Sequence, residues 1–193
     1  MEIQDITRPI FAPVILGTSR QGRASEHAAA FVFDQVSKRN DMATELVDIR
    51  KLRLSIDDAG EAIKDSGFSA LVERADALIL VVPEYNHSFP GLLKHVLDTN
   101  LKEYIHKAAG VCGVSYGPFG GARMIQSLLP VLRELGLVTI FWDVYFGSDG
   151  KLFDPVTGNI TDPAYAGRLD KFLNELGWMA RALRFARENL PVT

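Results

Sequence analysis

Short apolar runs alternate along the chain with longer segments in which apolar residues return every three or four positions. The first run, Pro-Val-Ile-Leu at residues 13–16, stops at Gly17 and predicts a first strand. Residues 25–39 follow with helical spacing of Ala28, Phe31, Val32 and Val36, and residues 44–49 read as a second strand. A polar loop at 55–60 leads to a short helix at 67–75. Residues 77–82, Ala-Leu-Ile-Leu-Val-Val, are apolar without alternation, which suits a strand buried on both faces. Beyond them the pattern predicts a helix at 90–101 with Pro90 near its first turn, and a strand at 109–115. A helix at 121–135 ends at Gly136 and leads into a fifth strand at 137–142. The turn pairs Asp149-Gly150, Asp154-Pro155 and Thr157-Gly158 predict a short hairpin within 146–163, before a last amphipathic helix at 165–188.

Strands alternating with helices imply a parallel sheet covered on both faces, an α/β three-layer sandwich. Five such strands point to the flavodoxin-like order 2-1-3-4-5. No 20–50-residue repeat and no linker divides the chain, so a single domain over residues 1–193 is expected. In this fold ligands bind beyond the carboxyl ends of the strands at the switch point, here between strands one and three. The loops after strands one, three and four therefore hold the candidate chemistry.

Composition narrows the classes of function. A formal net charge of −3 with scattered Lys and Arg gives no footprint for nucleic acid. The longest fully apolar stretch is far shorter than a membrane helix requires. The start of the sequence, Met1-Glu2-Ile3-Gln4-Asp5, is acidic and lacks a secretory pattern, so a cytoplasmic location is expected. Cys112 is the only cysteine and reads as a small core residue rather than a redox group. His27, His87, His95 and His106 have no spacing that suggests a metal site.

The loop after the first strand, Gly17-Thr18-Ser19-Arg20-Gln21-Gly22-Arg23-Ala24-Ser25, combines hydroxyls and arginines at the start of a helix. Backbone N–H groups and the helix dipole make such a place an anion site. Arg23-Ala24 stands where a P-loop would have Lys and Ser/Thr, and the G-x-G-x-x-G fingerprint is absent. A loop rich in Ser and Thr suits a phosphomonoester; the plainer reading is that Ser25 caps the helix. The loop after strand three, Pro83-Glu84-Tyr85-Asn86-His87-Ser88-Phe89-Pro90-Gly91, suits a flat heteroaromatic ring or, equally, a rigid turn held by two prolines. The third loop, Ser115-Tyr116-Gly117-Pro118-Phe119-Gly120-Gly121, carries three glycines that let backbone approach a ligand.

Taken together, the three loops resemble the NADPH-dependent FMN reductase family, which includes quinone, azo and chromate reductases. The matching pieces are Gly17-Thr18-Ser19-Arg20 with Ser25, Pro83-Glu84-Tyr85-Asn86 with Pro90-Gly91 and Lys94, and Ser115-x-Gly117 with Gly120-Gly121 and Arg123. The resemblance implies that Ser19, Arg20 and Ser25 hold the FMN phosphate. It sets Pro83, Glu84, Tyr85 and Asn86 beside the isoalloxazine ring, and Ser115, Tyr116 and Gly117 at its other edge. It also implies NADPH or NADH as donor, a small-molecule acceptor (quinone, azo compound, metal ion or free flavin), ping-pong turnover, and a homodimer or homotetramer. His87 departs from the family, which has glycine there, and residues 51–67 show little of its pattern.

With a flavin carrying the chemistry, no catalytic side chain is nominated. Phe141, Trp142, Tyr145 and Phe146 read as core or subunit interface. Lys94 and Arg123 are expected either in surface ion pairs or supporting the loops. The rival readings are a flavodoxin-like electron carrier, disfavoured by the modest net charge, and a binding module that has lost turnover.

Overall fold

The computed structural model describes residues 8–55, 57, 60–147 and 151–190. Its strands are β1 (Ile10–Phe11), β2 (Val14–Leu16), β3 (Met42–Ala43), β4 (Leu46–Asp48), β5 (Ala77–Pro83), β6 (Ala108–Val114), β7 (Val138–Thr139) and β8 (Val144–Phe146). The helices are α1 (Ser25–Ser37), α2 (Ser66–Arg74), α3 (Gly91–Asp98), α4 (Ala122–Glu134) and α5 (Ala164–Asn189). The main sheet runs β4-β2-β5-β6-β7, with β8 also on β6, and every pairing is parallel. This is the expected order 2-1-3-4-5.

Three expected strands reach beyond the bounds the pattern implied and are interrupted: the first, the second (expected at 44–49 and found as β3 and β4) and the fifth. β1 pairs with β3 in the same parallel register that β2 keeps with β4. Pro13, which has no N–H to give, stands between β1 and β2, while Ala12 and Val14 still donate to Ala43 and Glu45. The fifth strand is also divided. Ile140 donates to Ala109, and the chain then leaves the sheet with Phe141 and Trp142 exposed before β8 rejoins β6. Phe146 therefore belongs to the sheet and not to the hairpin region expected over 146–163, and Val144 and Tyr145 carry the strand past its expected end at 142.

Alternate residues of the central strands feed two cores. Val14, Leu16, Ile79, Val81 and Cys112 pack under α1 and α5. Ile15, Leu78, Leu80, Val82 and Val111 pack under α2, α3 and α4. With both faces covered, β5 and β6 are buried at all positions, which explains their continuous apolar sequence. Burial pushes the Cys112 thiol far above its usual range, as suits a core residue. At the end of α4, Gly136 adopts φ +77° while Gly136 N–H and Leu137 N–H bond Arg133 and Leu132, the Schellman arrangement. The expected hairpin survives as one antiparallel bridge, Phe153 to Ile160; its Asp149-Gly150 pair lies outside the described residues.

Candidate functional site

The three loops meet at the carboxyl edge of β2, β5 and β6, as the strand order requires. In the first, Thr18 is buried and serves the protein itself: its hydroxyl lies 3.2 Å from Tyr85 Oη and accepts from Arg20 N–H at 3.3 Å. Ser19 and Arg20 are exposed, and the Arg20 guanidinium stands 5.8 Å from the Tyr85 ring centroid. Ser25 is buried at the first turn of α1 but makes no capping bond, so the plain capping role is not the one it takes.

Arg23 is the unexpected member. Its side chain is 1% exposed and donates to Thr18 O and, at 2.6 Å, to Asp48 Oδ2 at the end of β4. Burial alone would raise the Asp48 carboxyl; hydrogen bonds from Arg50 and Arg23 more than offset this and hold its pKa at about 2.

The second loop is a tight reversal. Tyr85 and Ser88 exchange backbone hydrogen bonds, with Asn86 at φ +50° and His87 at φ +65° between them. Two consecutive left-handed residues make a type I′ turn, whose preferred sequence is Asn-Gly. The family's glycine at position 87 has a conformational reason, and His87 keeps the same turn. Glu84 is held by Arg123, whose Nε donates to Oε1 at 2.8 Å. Arg123 thus supports the loop, whereas Lys94 makes an ordinary surface pair with Asp98.

In the third loop the glycines divide by role. Gly120 and Gly121 lie at φ +56° and +88°, and a Cβ on either would meet backbone of Tyr145 or Gly113 within 3 Å. They are needed for the protein's own packing, not for ligand approach as the sequence suggested. A Cβ at Gly117 would meet nothing within 4 Å. Ser115 hydroxyl donates to Gly117 O and pins the turn.

Between the loops lies a cavity of about 350 Å³ walled by residues 20–25, 83–85 and 114–116. The expected site residues Arg20, Ser25, Pro83, Glu84, Tyr85, Ser115 and Tyr116 line it; Ser19, Asn86 and Gly117 belong to its loops without lining the wall. Buried side-chain atoms that lack a hydrogen-bond partner among the described residues are Arg23 Nε, Ser25 Oγ, Glu84 Oε2 and Tyr104 Oη. All but the last belong to residues of this cavity wall. Buried polar atoms are almost always paired, so two donors and an acceptor left open around one cavity mark a place built for a polar ligand.

The family model for NADPH-dependent FMN reductase matches residues 13–150, a span that includes all three loops. The chain belongs to this family. It is accordingly an FMN-dependent NAD(P)H oxidoreductase. An NAD(P)H-dependent FMN reductase of Pseudomonas aeruginosa is 32% identical over 183 residues, covering 88% of this chain and 96% of its own. A quinone reductase of Pseudomonas putida is 30% identical over 143 residues, covering 68% of this chain and 76% of its own. Among solved structures, the NAD(P)H:acceptor flavoenzyme of Paracoccus denitrificans superposes with a TM-score of 0.74 at 23% identity, over 90% of this chain and 98% of that one. That last likeness speaks for the fold.

The cavity wall fits the family's cofactor. FMN ends in a phosphomonoester, which needs donors such as Ser25 Oγ and Arg23 Nε at a helix start. Its ring has a polar edge and two flat faces, and the wall holds one buried acceptor without a partner among the described residues, Glu84 Oε2, and two aromatic side chains, Tyr85 and Tyr116. The volume lies within the range of roughly 300–1,000 Å³ usual for cofactor sites.

Proposed function

We propose that the whole chain works as one flavodoxin-like domain that holds FMN across the three loops and reduces small-molecule acceptors with NADPH or NADH. The observation that carries this reading is the group of unpartnered buried atoms, Ser25 Oγ, Arg23 Nε and Glu84 Oε2, around one cavity at the switch point.

Ser19, Arg20 and Ser25 would bind the phosphate; Pro83, Glu84, Tyr85 and Asn86 would flank the ring on one side and Ser115, Tyr116 and Gly117 on the other. Bound FMN supplies the hydride chemistry that no side chain can. The protein's part is to bind, orient and shield. The Tyr85–Thr18 contact and the Arg20 guanidinium over the Tyr85 ring join the first two loops. The Arg123–Glu84 pair ties the second loop to α4, and the interlocked glycines fix the third loop. No side chain is assigned an obligatory acid or nucleophile role.

The FMN reductase and quinone reductase relatives support quinones and free flavin as the first acceptors to try, with azo compounds and metal ions after them. NAD(P)H and the acceptor would use the same open pocket in turn, which is ping-pong turnover. Tyr116, which lines the cavity, and Phe119 in the same loop are 78% and 62% exposed. An aromatic surface of this kind supports assembly of a homodimer or homotetramer beside the cavity. Dependence on NAD(P)H supports a cytoplasmic location. The test is a grid of initial rates at several NADPH and benzoquinone concentrations. Parallel double-reciprocal lines are expected; intersecting lines would overturn alternating use of one pocket, and absent NADPH oxidation would return the carrier reading.

A further inference from the structure

A second cavity, of about 220 Å³, adjoins the first and shares with it residues 22, 24 and 114–116. Its far wall is built by the start of α1, the end of β8 and the turn that follows Leu152. The volume falls below the roughly 300–1,000 Å³ of a whole cofactor site, so it suits one part of a larger molecule. Aromatic rings belong to this wall: the Phe153 centroid lies 5.7 Å from that of His27 and 6.3 Å from that of Phe146. A Cβ on Gly158 would collide with the His27 ring, so the turn is seated against α1. One carboxylate completes the wall. Asp154 Oδ1 accepts from Val156 N–H, Thr157 N–H and Thr157 Oγ1, and among the described residues no donor reaches Oδ2. These bonds, those from Thr157 foremost, hold the carboxyl below its usual range and keep it charged. Whereas Arg20 and Arg23 line the first cavity, neither Lys nor Arg is among the described residues that line the second.

We propose that this second cavity is an adenosine subsite, taking the base and the unphosphorylated ribose of a dinucleotide whose other half lies in the FMN cavity. This rests on the FMN reading above and deepens it. A flat base needs aromatic surface, which Phe153 and His27 supply. Its amino group and the ribose hydroxyls are donors, and Asp154 Oδ2 is the acceptor left open. A carboxylate accepts from ribose hydroxyls and repels a 2′-phosphate, which an arginine would instead attract. The wall therefore favours NADH over NADPH. Flavin adenine dinucleotide carries the same adenosine, so two molecules can bring it to this cavity.

The FMN-loaded chain is titrated at constant pH with 5′-AMP, with adenosine 2′,5′-bisphosphate and with inorganic phosphate, while the His27 ring resonances are followed. The 5′-AMP should shift them, phosphate alone should not, and the bisphosphate should bind about fivefold more weakly or worse. Asp154→Asn keeps the Oδ1 acceptor that the turn needs and removes the charge, so it should bring the two nucleotides within about twofold of each other. Indifference of His27 to 5′-AMP, an equal response to phosphate, equal binding of the two nucleotides, or a gap that survives Asp154→Asn would overturn the proposal. If Asp154→Asn does not fold, the wild-type comparison of the two nucleotides decides. Two further arms name the source: NAD⁺ added to the FMN-loaded chain, and flavin adenine dinucleotide against FMN on the flavin-free chain. The dinucleotide that moves His27 is the one that reaches the subsite, and silence in both arms overturns it. Flavin absorbance reads the loading separately: a chain that holds no FMN overturns the reading of the first cavity and this proposal with it, whereas a loaded chain with a silent His27 overturns the second cavity alone.

Discussion

At the scale of single residues, the loops record which positions answer to the backbone and which to the ligand. His87 holds φ +65° because the type I′ turn requires it, and histidine tolerates that region better than most side chains. His87→Gly should keep the turn and change stability by no more than about 1 kcal/mol, in the stabilising direction. His87→Val, β-branched in the same conformation, should lose about 1–2 kcal/mol; urea denaturation reads both. The glycines of the third loop separate in the same way. Gly120→Ala sets a Cβ 2.6 Å from Tyr145 Cβ at a positive φ and should destabilise by several kcal/mol. Gly117→Ala meets nothing within 4 Å, so its thermal transition should match wild type while FMN affinity falls. Loss of stability with unchanged FMN affinity would place Gly117 with the structural glycines. Neither division was visible in the sequence, where Gly117, Gly120 and Gly121 look alike. Only the approach of Tyr145 and Gly113 from other strands tells them apart.

Among the elements, the pairing of the first loop with the end of β4 has a measurable pH signature. The folded Asp48 carboxyl, held at about 2 against burial by Arg50 and Arg23, ionises below its unfolded value. Its contribution to stability is therefore complete above about pH 5 and is lost as pH falls through the folded value. Asp48→Asn should flatten the decline in unfolding free energy between about pH 4 and 2; an unchanged slope would remove Asp48 from the account. The elements themselves were largely legible. Continuous apolar runs marked β5 and β6, helical spacing marked α1 and α5, and Gly136 marked the end of α4. The breaks were not. Pro13 looked like a strand's start, though the ladder runs past it on both sides. Residues 140–142 read as strand because they are apolar, yet the chain turns Phe141 and Trp142 outward. In the sequence Arg23 counts only as one of the loop's arginines and as the residue that breaks the P-loop pattern, and nothing local marks it as buried. The signal that could have found it was Asp48, a carboxylate at the end of the strand expected to lie beside this loop.

For the whole molecule, a parallel sheet with helices on both faces brings three loops, distant in sequence, to one cavity. The strand order decides this more than any residue does, since an order that separated β2, β5 and β6 would scatter the same motifs. The central claim is that this cavity holds FMN and exposes it to NAD(P)H. The most direct measurement is an anaerobic titration of the FMN-loaded chain with NADPH, followed by the visible flavin absorbance. One flavin per chain, bleached by NADPH and restored by a quinone, is the predicted result. A chain that retains no FMN, or whose bound flavin keeps its colour in excess NADPH, would contradict it.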